Sequence, residues 1–265
     1  MKIFGLGFPK TGTTSLENIL FCLGKRHCVS HWDKANTNFL IHAWKTQDFE
    51  EIKRVINCYD VFADGPWGGT DLYKFLIKQY PQEKFILTER DAESWFNSLK
   101  NMAGKFLLPE NEILEFHYYA GMYGFVNWIE HFFGVPTISD DYKDKIIAKY
   151  LQTNQNIKDE CKRKNIELLI LNTSELNEWK AVCDFVGSAV PNYDVPRANT
   201  GVEKGQFSIE EGVILVRYYL SKNNLEGAAN LLKQIVSTGA SGTALDVLKL
   251  KVQSAITTRN IMQVK

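Results

Sequence analysis

A glycine-rich stretch near the start of the chain has the residue types of an anion-binding loop. Gly7-Phe8-Pro9-Lys10-Thr11-Gly12-Thr13-Thr14-Ser15 lies between a short apolar run and a segment with apolar residues at helical spacing. This pattern predicts a strand, a turn and a helix whose first amide N–H groups point into the turn, where they favour phosphate or sulfate. Lys10 adds a full positive charge to that site.

The same stretch differs from two common nucleotide-binding motifs. Gly7 and Gly12 have Walker A spacing, but Thr13 stands in place of the lysine, and Lys10 lies inside the loop. The dinucleotide fingerprint fails because Lys10 occupies its third glycine position. We expect the helix to begin near Thr13 or Thr14, since Thr14 and Glu17 have capping-box spacing.

Two ionisable residues follow further candidate strands and are candidate general bases. Asp64 follows the apolar run 59–63, and His31 ends a shorter candidate strand. In open α/β sheets ligands bind beyond the carboxyl ends of strands, so either side chain could meet a ligand held by the loop. Asp64 could instead bind only nearby turn amides, and a lone histidine is more often a packed residue. Both alternatives stay open.

The string from Pro9 to Ser15, directly after an N-terminal strand, resembles the phosphosulfate loop of sulfotransferases that use 3′-phosphoadenosine 5′-phosphosulfate (PAPS). Arg90 at a strand end, with Ser98 about two helical turns later, resembles the 3′-phosphate site of the same enzymes. The resemblance implies that Lys10 stabilises the departing phosphate, that Asp64 or His31 is the base, and that no metal is required. It implies the following donor-binding residues: Lys10, Thr11, Gly12, Thr13, Thr14, Ser15, Arg90 and Ser98.

The resemblance extends over residues 1–200. A strand at 166–171, a helix at 174–186 and a proline-containing loop resemble the closing segment of bacterial-type sulfotransferase domains. This implies an α/β fold, a P-loop NTPase-like parallel sheet flanked by helices. Ser15 replaces the aromatic residue that faces adenine in animal cytosolic enzymes, so stacking on adenine must come from elsewhere, and Trp67 and Trp95 are open candidates for it. Weak counterparts of a further 3′-phosphate segment are Arg197 and Lys204-Gly205.

Two regions of the chain are predicted to be helical. From 109 to 164 the sequence is rich in aromatic residues, most of which we expect in the core and some in an acceptor pocket. After a linker at 201–206, residues 207–265 are predicted to form a helical extension of three amphipathic helices, separate from an α/β domain at 1–200. We expect this extension to pack on the sheet domain or on a second subunit, which would make a homo-oligomer.

The composition limits the partners and the compartment. Thirty-one basic and thirty-one acidic residues cancel, so we expect no nucleic-acid partner. The five cysteines are scattered, which predicts reduced thiols, and no ligand cluster predicts a metal. No apolar run is long enough for a membrane span, and there is no room for a signal peptide before Ile3. We therefore expect a cytoplasmic protein.

Together these patterns predict a sulfotransferase that moves a sulfuryl group from PAPS to a hydroxyl or amine. The acceptor would be a small molecule, a glycan or a lipid. One alternative is a nucleotide-dependent, kinase-like phosphotransferase on the same fold, which ATP-driven, Mg²⁺-dependent activity would support. The other is a non-catalytic nucleotide-binding protein, which would bind nucleotide without turnover.

Overall fold

The computed structural model describes residues 1–28, 34–195 and 208–263. Within these residues, five parallel strands form one sheet in the order β2-β3-β1-β4-β5. The strands are β1 (Ile3–Gly5), β2 (His27–Cys28), β3 (Val61–Phe62), β4 (Lys84–Glu89) and β5 (Leu168–Asn172). The predicted α/β class with a parallel sheet is confirmed.

Helices connect the strands and cover the sheet. Those that precede β5 are α1 (Thr13–Cys22), α2 (Lys34–Lys45), α3 (Phe49–Cys58), α4 (Tyr73–Gln79), α5 (Ala92–Ala103), α6 (Ile113–Tyr119), α7 (Tyr123–Trp128) and α8 (Lys143–Arg163). Those that follow it are α9 (Lys180–Val186), α10 (Ile209–Ser221), α11 (Leu225–Ser237) and α12 (Thr243–Gln263). A π-helical turn at Ile129–Phe133 continues α7, and a short 3₁₀ helix at Thr173–Asn177 follows β5.

The sheet is apolar on both faces because successive strand residues point to opposite sides. Phe4 and Phe85 pair in register and pack on one face against helices that include α5 and α8. Ile3 and Ile86 point to the other face, where α1 and α9 cover them. A parallel sheet that is buried on both faces exposes mainly its strand ends, so we expect the ligand-binding residues to lie at those ends.

One prediction about elements needs correction, and two others can be compared with the structure. The helix predicted at 174–186 is two segments, since Glu178 is extended and separates the 3₁₀ turn from α9. The expectation that most aromatic residues of 109–164 are core is confirmed, since the buried ones include Phe116, Trp128, Phe132, Phe133 and Tyr150, whereas Tyr118, Tyr119 and Tyr123 are exposed. The strand predicted at 27–31 is seen at 27–28, and residues 29–33 lie outside the described residues.

The helices α10, α11 and α12 build a third apolar core together with residues from the sheet-bearing part of the chain. Phe106 and Phe116 pack in this core against α10 residues such as Leu215 and Tyr218. The predicted extension therefore packs on the rest of the same chain. In the described residues, no helix is long and apolar enough to span a membrane. All five cysteines are free thiols, and Cys58 is the exposed one.

Candidate active site

The topology brings three chain segments to one edge of the sheet. β1 lies between β3 and β4, and all three run parallel. Their carboxyl ends lead into the Lys10 turn, into Asp64 and into Arg90 respectively. Asp64 and Arg90 thus follow the two strands that flank the turn.

The turn after β1 is held by close backbone packing. A side chain on Gly7 would overlap Thr88 Oγ1, so only glycine lets β1 pass so close to β4 here. Thr11 Oγ1 donates to the Phe8 carbonyl at 2.6 Å and lies 2.7 Å from Thr88 Oγ1. Thr11 is fully buried, and its hydroxyl therefore shapes the turn.

The first turn of α1 is open for an anion. Gly12 is the N-cap residue in the left-handed region, with φ of 94°, and no side chain caps the helix. The helix begins at Thr13, as predicted, but the predicted Thr14–Glu17 capping box is wrong, because Thr14 already lies in the helical turn. Within the described residues, the amides of Gly12, Thr13, Thr14 and Ser15 have no hydrogen-bond acceptor.

Two cations lie beside this helix end. In the described part of the chain, neither Lys10 Nζ nor the Arg90 guanidinium has a hydrogen-bond or ion-pair partner. Burial lowers the pKa of Lys10. The charge of Asp64 opposes this effect, while Arg90 and Lys105 add to it. These charges therefore act on one another, and a bound anion would relieve the repulsion between the cations.

The backbone of Arg90 is fixed by a residue that the sequence did not indicate. Tyr150 of α8 accepts the Arg90 N–H at 3.0 Å and donates to the Arg90 carbonyl at 2.8 Å. Burial raises the pKa of Tyr150, which keeps its hydroxyl protonated for this role. Ser98 is half-buried on α5, whose predicted cap Asp91 is confirmed by its bond to the Ser94 amide. No hydrogen bond joins Ser98 to Arg90 among the described residues.

Asp64 lies where the turn meets an apolar cavity. Its backbone is left-handed, with φ of 63°, and its Oδ1 accepts the Gly65 N–H at 2.9 Å. The aspartate therefore has the predicted turn interaction, and it also lines the cavity. Among the described residues of the lining, Asp64 is the sole ionisable side chain.

The cavity has a volume of about 180 Å³ and is mostly apolar. Its walls come from α2, the end of α5, and α7 with the turn before it. Apolar side chains dominate the lining: Pro9, Ile41, Met102, Met122, Phe125 and Trp128. The polar Asn38 is committed to structure, since its amide donates to the Gly121 carbonyl at 2.9 Å and accepts the Gly124 N–H at 2.5 Å.

Several predicted contacts are absent or cannot be placed. Trp67 and Trp95 are buried, so the prediction that one of them stacks on adenine is wrong. Trp95 instead stacks on Tyr150 with ring centroids 4.1 Å apart and donates to the Pro9 carbonyl at 3.0 Å. His31, Arg197 and Lys204-Gly205 lie outside the described residues. No group of metal-binding side chains occurs in the part of the chain that is described.

Among the described residues, an uncapped helix end, two cations without ion-pair partners and a carboxylate beside an apolar cavity lie at one edge of the sheet, an arrangement that suits an anionic ligand. A family model described as the sulfotransferase domain matches residues 2–203. The chain belongs to this sulfotransferase family, and it is a transferase whose family reaction is sulfuryl transfer. A comparison with curated proteins finds no match.

Proposed function

We propose that this enzyme transfers the sulfuryl group of PAPS to a hydroxyl or amine of a small, mostly apolar acceptor. The observation that carries the proposal is the pair of cations, Lys10 and Arg90, which have no hydrogen-bond or ion-pair partner among the described residues and lie at the open N-terminus of α1. PAPS has a 5′-phosphosulfate and a 3′-phosphate, so it needs two separate anion contacts. The turn with Lys10 fits the first group, and Arg90 with Ser98 fits the second.

Each residue has a defined role in the proposed step. The acceptor oxygen or nitrogen forms a bond to sulfur while the bond from sulfur to the 5′-phosphate oxygen breaks, and the electron pair leaves on that oxygen. Lys10 and the amides of Gly12, Thr13 and Thr14 stabilise this charge. Asp64 takes the proton of the acceptor. His31 remains the alternative base.

The cavity argues for a small acceptor over a glycan or a bulky lipid headgroup. Its volume of about 180 Å³ is close to that of an apolar protein cavity of ~150 Å³ that holds benzene. A sugar suits this lining poorly, because its polar side chains are few: Thr37, Asp64 and Asn38, whose amide is already hydrogen-bonded at both ends. An acceptor of about one substituted ring with a single reactive group suits this lining.

Calorimetric titration with 3′-phosphoadenosine 5′-phosphate (PAP), AMP and ATP tests the donor. We expect PAP to bind more tightly than ATP. Arg90→Ala should weaken the binding of PAP by about 10-fold or more, since a charge-assisted contact contributes ~1.5–3 kcal/mol. The same substitution should change the affinity for AMP very little, because AMP lacks the 3′-phosphate. Arg54→Ala, which removes an exposed arginine on α3, is the control.

Turnover is followed as PAP formed from PAPS with 4-nitrophenol as the probe acceptor. Lys10→Ala should lower the rate by about 10²-fold or more. Asp64→Asn should bind PAP like the wild type but lose turnover. Equal affinity for ATP and PAP, unchanged by Arg90→Ala, would contradict the proposal, as would a Lys10→Ala enzyme within a few-fold of the wild-type rate.

A further inference from the structure

His117 of α6 is a buried imidazole that lies behind the acceptor cavity. Its Nε2 is 3.1 Å from the carbonyl oxygen of Ala103, and the residue is only 4% exposed. Because a carbonyl oxygen only accepts, Nε2 carries a hydrogen and donates it. Ala103 is the last residue of α5, where the helical carbonyls lack partners within the helix. The imidazole therefore caps the C-terminus of α5.

The other side of the imidazole contacts the cavity wall. Nδ1 of His117 lies 3.3 Å from Met122 Sδ, and the ring meets the Phe125 ring at 60° with the centroids 4.8 Å apart. Met122 and Phe125 both line the cavity. The backbone adds a further contact, since the Met122 N–H donates to the His117 carbonyl at 2.8 Å. One side chain thus supports two residues of the wall, and it caps the residue that follows a third, Met102.

This support decides the shape of the wall because the wall contains methionine. A methionine side chain is flexible and fills many shapes, so its conformation in a cavity wall depends on what packs behind it. The backbone of the turn that carries Met122 is held from α2, where Asn38 bonds the Gly121 carbonyl and the Gly124 N–H. Asn38 therefore fixes the backbone of this turn, and His117 fixes the thioether.

We propose that His117 is a positioning residue for the acceptor: by holding Met122 and Phe125 it sets the shape of the cavity and thereby the selectivity among acceptors. The proposal rests on the proposed function, in which this cavity holds the acceptor. His117 acts through the wall and not as a base, since its Nε2–H is directed at the Ala103 carbonyl. Loss of the imidazole should therefore weaken the binding of the acceptor and leave the binding of the donor unchanged.

Steady-state kinetics with PAPS and 4-nitrophenol separate the two binding steps. His117→Phe keeps a ring and removes both nitrogens, so the KM for 4-nitrophenol should rise by about 3–10-fold, the effect of one lost hydrogen bond. The kcat and the Kd of PAP should stay within about twofold of the wild type. His117→Gln, whose amide can donate to the Ala103 carbonyl, should keep a KM within about twofold of the wild type. The shorter His117→Asn should raise the KM like His117→Phe, and it replaces that variant if His117→Phe does not fold.

Selectivity is measured as the ratio of kcat/KM for 4-nitrophenol to kcat/KM for 2-naphthol. The wild type should favour the single ring, because the cavity has a volume of about 180 Å³. His117→Phe should lower this ratio by about threefold or more, since a wall that can move accepts the larger ring more easily. A loss of stability alone would leave the ratio unchanged.

Tyr218→Phe is the matched control. Tyr218 packs against Phe116, as His117 does, but its hydroxyl donates to Glu112 at 3.0 Å. The substitution should lower the melting temperature and change neither the KM for 4-nitrophenol nor the selectivity ratio. A rise in KM equal to that of His117→Phe would mean that any weakening of this core suffices, and would overturn the proposal.

A double-mutant cycle with Met122→Leu tests the route of the effect. Since residues in contact do not act additively, His117→Phe should change the KM by less than about twofold in the Met122→Leu background. An equal effect of His117→Phe in both backgrounds would overturn the proposal. A wild-type KM in both His117→Phe and His117→Asn would do the same.

A binding measurement keeps this proposal apart from the proposed function. If the wild type binds PAP but forms none from PAPS, the proposed function fails, and calorimetric titration of the enzyme–PAP complex with 4-nitrophenol tests His117 directly. Binding of 4-nitrophenol that is about 3–10-fold weaker in His117→Phe, with PAP affinity unchanged, would support the role of His117. Equal binding in the variant and the wild type, or no binding to the wild type, would overturn it.

Discussion

At the scale of single residues, the candidate site has two non-glycine residues in the left-handed backbone region. Lys10 has φ of 74° and Asp64 has φ of 63°. Such conformations cost free energy, and they persist where the surrounding structure imposes them, often at functional sites. Both residues were candidates from sequence because of their type and place after a strand. Their backbone conformation was not readable from residue type, because the surrounding fold imposes a positive φ on such residues.

Lys10 should destabilise the enzyme when no donor is bound. Burial lowers the pKa of Lys10 below its usual 10.5, so the folded state disfavours the charged form. We expect Lys10→Met to raise the melting temperature of the ligand-free protein by roughly 1–4 °C, since ~1 kcal/mol corresponds to ~2–4 °C at this size. Differential scanning calorimetry at neutral pH measures this, with Lys53→Met on the exposed face of α3 as the control.

The destabilisation caused by Lys10 should depend on pH in a defined direction. The folded state releases the Lys10 proton more easily than the unfolded chain, so the destabilisation is fully present below the folded pKa. It is lost as the pH rises from that pKa towards 10.5. The advantage of Lys10→Met should therefore shrink in alkaline buffer. A lower melting temperature for Lys10→Met at neutral pH would mean that the charge is satisfied in the free enzyme.

At the scale of elements, the strand–turn–helix unit and the cap of α5 could be predicted because their signals are local. Glycine, lysine and threonine after an apolar run specify the turn, and Asp91 specifies the start of α5. The contacts between elements could not be predicted in this way. The Tyr150 contact with Arg90 joins residues 60 positions apart, and no local pattern encodes such a pairing.

Helices α5 and α8 connect the two ends of the donor site. Trp95 donates to the Pro9 carbonyl of the turn and stacks on Tyr150, whose hydroxyl bonds both backbone groups of Arg90. The Lys10 turn and Arg90 are thereby fixed relative to each other. Such a fixed spacing favours a ligand with two anionic groups at a set separation.

Tyr150→Phe tests this connection because it removes one oxygen and keeps the stacked ring. We expect about 3–10-fold weaker binding of PAP, since a hydrogen bond contributes ~0.5–1.5 kcal/mol and Arg90 loses its support. Binding of AMP should be nearly unchanged. Calorimetric titration of both ligands measures the difference, with Tyr119→Phe on the surface as the control. An equal loss for PAP and AMP would contradict a specific role at Arg90.

At the scale of the whole molecule, the predicted division between 1–200 and 207–265 follows the sequence pattern but not the packing. The family match ends at residue 203. Phe106 and Phe116 nevertheless share a buried core with α10–α12, and Tyr218 of α10 donates to Glu112 at 3.0 Å. The pattern of an amphipathic helix predicts that one of its faces is buried, but not which element covers that face. Only the three-dimensional structure shows that α6 packs against α10–α12.

This shared core predicts that the chain unfolds in one cooperative transition. All six tryptophans precede residue 207, so their fluorescence follows the sheet-bearing part, whereas far-UV circular dichroism also follows α10–α12. The two signals should give the same midpoint in urea.

Phe116→Ala should lower the free energy of unfolding by about 3–5 kcal/mol and move both midpoints together, while Phe39→Ala at an exposed position should move neither. A dichroism transition at lower urea, without a change in fluorescence, would instead show that α10–α12 fold independently.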